Sequence, residues 1–301
     1  MNLTTTKRRN LMKTHFDCIT CMINGLISLF KQGLIEEKYH ETVIKEVLTY
    51  YANIDYSESP LLTNRNLHRV IRKIANNPDP YKKLKDNMNK EAVKYCEKYR
   101  DLVLESDNPL DKALRLAVAG NIIDFGPGHS IEIEKTIEKI LNKDFAVDDS
   151  LELFNDIKKA KNILYLGDNT GEIVFDKLFL EVIGRSDITF VVRNSPILND
   201  ATMEDVKLFG IDKLVKVMTN GDNAPGTLLE HTSPEFKEIF DKADLIISKG
   251  QGNFEGLSEF KGKNIYFLLM IKCHIVAEDL GLKKGDYIVK SALKSKDFAV
   301  K

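Results

Sequence analysis

Five short runs of Ile, Val and Leu recur at 162–166, 188–192, 214–218, 245–247 and 265–271. Stretches with helical period lie between them, at 172–183, 201–209, 234–242 and 254–260. Strand and helix alternating at this spacing predict a parallel sheet with helices on both faces, joined by right-handed crossovers. Few other folds accept such a pattern. In an open parallel sheet, ligands gather at the carboxyl ends of the strands. The polar clusters of this chain fall there.

The first run ends in Gly167-Asp168-Asn169-Thr170-Gly171-Glu172, where a buried strand would turn into a helix. The second leads into Arg193-Asn194-Ser195-Pro196-Ile197-Leu198-Asn199-Asp200, and the third into Asn220-Gly221-Asp222-Asn223-Ala224-Pro225-Gly226-Thr227. The fourth leads into Ser248-Lys249-Gly250-Gln251-Gly252-Asn253-Phe254-Glu255, and the last ends in Lys272-Cys273-His274. One polar turn is routine, but five at one edge point to a site. Carboxylate and amide oxygens without thiolates suit a hard divalent ion, Mg²⁺ or Mn²⁺, with coordination positions left open. Asp168, Asn169 and Asp200 are the candidate ligands. Lys249 and Lys272 are candidate phosphate contacts as point charges. Gly171, Gly250 and Gly252 would let backbone amides approach an anion, and a helix start favours one there. Such equipment serves phosphoryl transfer, where charge neutralisation and positioning carry the reaction.

The first half reads differently. Apolar residues at helical spacing mark 19–30, 37–51, 67–74, 81–104, 110–123 and 131–141, and no strand alternation appears. The expected organisation is a helical region over 1–150, then a Rossmann-like, three-layer α/β/α catalytic domain over 151–301. The turn Asp148-Asp149-Ser150 is the predicted junction. The chain has 301 residues, 43% hydrophobic and 30% charged, with a net charge of -1. That composition can fill a sizeable core and gives no electrostatic case for nucleic acid or an anionic membrane. The basic start lacks the apolar run of a signal peptide, and no apolar stretch reaches the roughly 18 residues of a membrane span. Four cysteines with no targeting segment point to a reducing cytoplasm.

The quoted clusters also resemble a known family. Gly167-Asp168-Asn169-x-Gly171-Glu172-Ile173, Asn194-x-Pro196-Ile197-Leu198-Asn199-Asp200-Ala201-Thr202, Lys249-Gly250-Gln251-Gly252-Asn253-Phe254-Glu255 and Lys272-Cys273 are similar to the DUF89 family of metal-dependent damage-control phosphatases with the ARMT1-like domain. Asp17-Cys18-Ile19-Thr20-Cys21 and Asn121-Ile122-Ile123-Asp124-Phe125-Gly126 resemble its small archaeal-type branch. The resemblance runs from about Asp17 to Lys272. It implies phosphomonoester hydrolysis with a divalent metal, Co²⁺ or Ni²⁺ being further options, on a small and conceivably damaged metabolite. Carried over, it places metal ligands at Asp168, Asn169 and Asp200, and catalytic roles at Asp168, Asn253 and Lys272. The expected phosphate contacts are Gly171, Glu172, Asn194, Lys249, Asn253 and Lys272, of which the resemblance itself carries Lys272. The eukaryotic branch has Arg-Thr-x-Lys where this chain has Leu269-Met270-Ile271-Lys272, so a sugar-phosphate preference does not carry across.

Blander readings stand beside these. Asp168-Asn169-Thr170-Gly171 also fits a helix cap, and Glu172 a first-turn acid matched to the helix dipole. The pair Asp222-Asn223 fits a Gly-rich turn. Cys18, Cys21 and Cys273 are read first as buried free thiols, with a three-thiolate site beside His274 or His15 as the sharper option. Asn121 and Asp124 end an apolar helix, with Gly126 as its natural stop, and His129 reads as a loop histidine. Either water or Asp168 itself is the attacking group; Asn169 in place of a second acid favours water. Two other functions fit parts of the pattern. A nucleotide-binding or methyltransferase Rossmann domain needs Gly-x-Gly-x-x-Gly after the first strand, which is absent. The other is a non-catalytic metal- or metabolite-binding protein with a degenerate site, and intact Asp168, Asn169 and Asp200 argue against it.

Overall fold

The computed structural model describes residues 12–120 and 130–294. Asn121, Asp124, Gly126 and His129 lie outside the described residues.

Helices α1 (Phe16–Lys31), α2 (His40–Ala52) and α3 (Pro60–Ile74) come first. Leu26, Leu29, Val43, Val47, Leu67 and Ile71 close a small core among them. Pro60 sits in the first turn of α3, and the Ser59 hydroxyl accepts the Leu61 N–H, which fixes where that helix starts. Then follow α4 (Lys82–Leu104), α5 (Pro109–Gly120) and α6 (Ser130–Asn142). These three do not pack on α1–α3 as a unit. Ala92, Cys96, Leu114, Ala117, Ile137 and Ile140 belong to the core of the sheet itself.

The remaining elements are β1 (Val147–Asp148), α7 (Ser150–Lys159), β2 (Ile163–Leu166), α8 (Ile173–Ile183), β3 (Ile188–Val192), α9 (Met203–Phe209), β4 (Lys216–Thr219), α10 (Pro234–Lys242), β5 (Leu245–Lys249), α11 (Gly250–Leu257), β6 (Ile265–Met270), α12 (His274–Leu280) and β7 (Tyr287–Ser291). The strands form one sheet in the order β1-β7-β6-β5-β2-β3-β4. β2 is central, parallel to β3 and to β5, and all four of its residues are buried. Its side chains alternate between two cores. Ile163 and Tyr165 face α5 and α8 with Phe175, Phe179 and Phe190. Leu164 and Leu166 face α10, α11 and α12 with Phe236, Phe254 and Phe267. A strand covered on both faces reads as an unbroken apolar run, so period alone did not reveal it.

The predicted α/β sandwich with helices leading into it is present. Three details differ from the reading of the sequence. The sheet has seven strands, because β7 runs antiparallel to β6 (Leu268 opposite Val289) and β1 adds to its far edge. Neither was legible: β1 has two residues, and β7 closes on Lys290-Ser291 after a three-residue apolar run. The turn at Asp149 ties elements together, since its carboxylate accepts the Ser291 N–H at 2.8 Å. Helix α11 begins at Gly250, so Gly250 and Gly252 form its first turn and not a loop. No helix among the described residues is long and apolar enough to cross a membrane.

Candidate active site

The chain leaves β2 at Gly167 and passes directly beside the chain returning from β3. Ala201 N–H donates to the Asp168 carbonyl at 2.8 Å, Thr170 N–H donates to the Asn199 carbonyl at 2.8 Å, and Asn169 bridges to Asp200. This short zipper brings Asp168, Asn169 and Asp200 together. Leu198, in the same loop, sits at φ 45°. A bulky residue in that left-handed region costs about 1–2 kcal/mol, which the zipper must hold in place.

The gathered acids have few cations. Arg193, at the end of β3 and 2% exposed, places Nε 2.7 Å from Asp200 Oδ2 and Nη2 3.9 Å from Asp168 Oδ1. Asn169 Nδ2 donates to Asp168 Oδ2 at 2.8 Å and to Glu172 Oε2 at 3.0 Å. Burial, then the charges of Glu172 and Asp200, push the Asp168 carboxyl up to about 8, with Lys272 and Arg193 pulling the other way. Burial also raises Asp200, against the pull of Arg193.

A second cluster lies behind the first. Lys249 Nζ is fully buried and donates to the Ala117 carbonyl at 2.8 Å, to Glu172 Oε1 at 2.7 Å and to Asp176 Oδ1. Tyr165 donates its hydroxyl to the same Asp176 oxygen at 2.7 Å. Burial opposes the Lys249 charge, but Asp176 and Glu172 outweigh it and hold the amine above its ordinary value. Burial, with the Glu172 charge added, raises Asp176 to about 6, and Lys249 opposes that rise. Glu172 therefore joins the clusters, one oxygen on Lys249 and the other on Asn169.

Not every residue singled out in the sequence reaches the open side. Lys249 and Asn253, both assigned to phosphate from the sequence, are fully buried and occupied by the protein. Asn253 Oδ1 accepts from Arg193 Nη2 at 3.2 Å and from the Thr227 hydroxyl at 2.8 Å. Its Nδ2 donates to the carbonyls of Lys249 at 2.7 Å and Gly167 at 3.2 Å. The Gly171 N–H, read as part of an anion seat, donates to Asn89 Oδ1 at 2.7 Å. Gly250 and Gly252 serve close packing: a Cβ on Gly250, at φ 78°, would lie 1.9 Å from Asp168 Oδ2, and one on Gly252 would lie 2.0 Å from the Pro225 carbonyl oxygen. Asn194 is exposed on the rim, its Oδ1 accepting from the Thr219 hydroxyl at 3.2 Å. Lys272 is exposed at the end of β6, with its backbone N–H on Gln251 Oε1 at 2.8 Å.

Cys18, Cys21 and Cys273 line one cavity of about 320 Å³ with Glu255, Lys272 and His274. All three are free thiols. Burial raises Cys18 and Cys21, which argues against reactive thiolates. His15 and His274 turn to Asp17, each 2.9 Å from its Oδ2.

Three contributors escaped the sequence reading. Arg193 appeared there only as the first residue of a loop. Asp176 had a signal: with Glu172 it makes an i, i+4 pair of acids inside the otherwise apolar start of α8, which calls for a buried cation. Asn89 on α4 had none, because its partners Thr170, Gly171 and Asp205 lie far along the chain.

No three His, Cys, Asp or Glu side chains among the described residues are arranged to hold a metal. The candidate set is two carboxylates and one amide, hard oxygen donors suited to Mg²⁺ or Mn²⁺. Charge supports the fit. Among the described residues, the ion-paired set holds four carboxylates (Asp168, Glu172, Asp176, Asp200) and two cations (Arg193, Lys249), a formal surplus of two negative charges.

Residues 14–288 match the family model described as the damage-control phosphatase ARMT1-like domain. An uncharacterized protein of Methanocaldococcus jannaschii is 41% identical over 91% of this chain and 93% of its own. Proteins named damage-control phosphatase from Pyrococcus horikoshii and Archaeoglobus fulgidus are 37% and 33% identical, over 91% of this chain and 96% and 97% of theirs. The crystal structure of a DUF89 family protein from Pyrococcus horikoshii superposes with a TM-score of 0.86 at 34% identity, covering 93% of this chain and 99% of that one.

Proposed function

The chain belongs to the damage-control phosphatase ARMT1-like family, and from that membership we propose that it is a divalent-metal-dependent phosphatase of small phosphorylated metabolites. One observation supports this above the others: the buried surplus of carboxylate where the loops after β2 and β3 meet. Asp168, Asn169 and Asp200 would hold the cation. Their hard oxygens favour Mg²⁺ or Mn²⁺, and Co²⁺ and Ni²⁺ are further candidates. When bound, such an ion withdraws charge from a phosphoryl oxygen and so lowers the barrier to attack at phosphorus.

The side chains supply the rest. Arg193 fixes the direction of Asp200, and Asn253 fixes Arg193. Glu172 holds the amide NH₂ of Asn169 and leaves its oxygen to face a cation. Lys249 serves as the counter-ion behind Glu172, while Lys272, on the open side, meets the phosphate. Asn194 stands on the rim that a substrate passes. Water is the attacking group in this reading, because Asp168 Oδ2 is taken by Asn169 and packed on Gly250.

Hydrolysis of p-nitrophenyl phosphate by chelator-treated protein tests the proposal. Turnover should be absent without metal and return with Mg²⁺, Mn²⁺, Co²⁺ or Ni²⁺. Undiminished turnover in excess chelator would overturn it.

A further inference from the structure

Helix α3 carries Arg65, Arg69, Arg72 and Lys73 and no Asp or Glu. The arginines fall at i, i+4 and i+7, on one face of the helix. That face lies against the loops after β3 and β4, where the three are met unequally. Arg65 is buried, its Nη1 2.9 Å from both carboxylate oxygens of Asp222. Arg69 shares that acid at 3.4 Å and otherwise donates to Asn223 Oδ1, at 2.6 Å from Nη2 and 3.2 Å from Nε. Among the described residues, Arg72 donates to the Pro196 carbonyl alone. The acid that acts on Arg72, Asp79, is committed elsewhere: Lys85 Nζ lies 2.5 Å from its Oδ2, and it accepts the Tyr81 N–H. Asp222 thus meets two of the three guanidiniums, and Arg72 has no acid in contact among the described residues.

A half-buried cation beside a second cation is unfavourable unless an anion joins them. Burial and the Arg69 charge both press the Arg72 guanidinium below its ordinary value. The same field, added to burial, pushes His68 down to about 4, so that side chain stays neutral.

A cavity of about 530 Å³ opens here, between Arg72, Lys73, Asn76 and Asn77 on one side and Ser195 and Pro196 on the other. Its donors are one guanidinium, an ammonium, amides and a hydroxyl, the set that binds carboxylate or phosphate oxygens. The cavity is also close to the acids described above. Ser195 follows Arg193 by two residues, which span at most about 7 Å, and Arg193 holds Asp200.

We propose that Arg72 and Lys73, with Ser195 at the rim, form a subsite for a second anionic group, so that the preferred substrates are phosphomonoesters that also carry a carboxylate or a further phosphate. This deepens the phosphatase reading and rests on it.

The test uses matched substrates that differ in the second group. 6-Phosphogluconate is compared with glucitol 6-phosphate, and fructose 1,6-bisphosphate with fructose 1-phosphate. Wild type should favour the doubly anionic member about tenfold in kcat/KM, mostly through KM, as expected of a charge-assisted contact. Arg72→Gln should cut that ratio about fivefold or more, and Arg72→Lys should restore part of it. If Arg72→Gln melts early, Lys73→Gln, at an exposed position lining the same cavity, carries the comparison. A ratio near one in wild type, or one unmoved by the glutamine variants, overturns the subsite and leaves p-nitrophenyl phosphate turnover intact as support for the phosphatase. If no phosphomonoester is turned over with any metal, the phosphatase reading fails. The subsite is then judged by calorimetric binding of 6-phosphogluconate against glucitol 6-phosphate, and equal affinities overturn it.

Discussion

The two buried charge clusters at the ends of β2 and β5 hold the same formal count, two acids to one cation, and differ in how closely the cation meets them. Around Lys249 the amine reaches both acids and a carbonyl, and Tyr165 adds its hydroxyl to the same Asp176 oxygen. Around Arg193 the cation holds Asp200 closely but stands 3.9 Å from Asp168, which is pushed up to about 8. A buried cluster whose cation touches both acids is a structural joint: taking either partner away leaves an uncompensated charge. A cluster whose cation stands off from one acid pays in stability for something else, in the proposed reading a seat for a cation. Buried polar residues alone do not mark a site; how closely each charge is met does.

That contrast breaks most sharply at Lys249. Lys249→Met strands Glu172 and Asp176 in the core, and global stability should fall by about 3–5 kcal/mol, read by denaturant titration. Adding Asp176→Asn should recover part of the loss. A loss under about 1 kcal/mol would mean that the rear cluster is not a joint.

Asp168→Asn should behave in the opposite way. It removes a surplus acid, so stability without metal should hold or rise. Turnover should fall on the order of 10²–10³-fold, the scale of losing one electrostatic contact to the transition state. The variant should also lose the stabilisation that a bound ion gives wild type, about 2.7 kcal/mol at one hundred times Kd. Melting curves with and without Mn²⁺ separate the two effects. A variant destabilised as deeply as Lys249→Met, with its metal shift retained, would erase the distinction between the clusters.

How much of this was legible in the sequence follows from how far apart the partners lie. The strand-end rule pointed to Asp168, Asn169 and Asp200, which the structure brings together, because each sits at a fixed place after an apolar run. The direction of Lys249 was invisible. Its partners Glu172, Asp176 and Ala117 lie 77, 73 and 132 residues away, and nothing local tells a lysine facing solvent from one facing the core. The inward bonds of Asn253 were hidden in the same way: strand-end placement says where a side chain starts and not what has already filled its bonds. Arg193 was the reverse case, an unremarked loop residue that became the cation of the front cluster. Strand β7 was missed for another reason. It is held by backbone pairing to β6 across a whole helix, and its five residues carry too short an apolar pattern to stand out.

Glu255 offers the gentlest test of the same comparison, as an acid whose hydrogen-bond partner is a neutral amide, Gln251 Nε2 at 2.8 Å. Burial lifts its carboxyl from 4.5 to about 7, and Gln251 pulls back only slightly. With no ion pair to it among the described residues, such an acid answers burial by keeping its proton. The folded protein then holds that proton more tightly than the unfolded chain. Its contribution to stability is in place below about pH 4.5 and is lost as the pH rises through 7. Glu255→Gln cannot lose a proton, so the difference in stability between variant and wild type should grow in favour of the variant across that window and level off above it. Denaturant titrations of both proteins at pH 4.5, 6 and 7.5 measure it, because the slopes of all other groups cancel in the difference. A difference that stays flat would mean that Glu255 is ionised throughout, and that a cation reaches it after all.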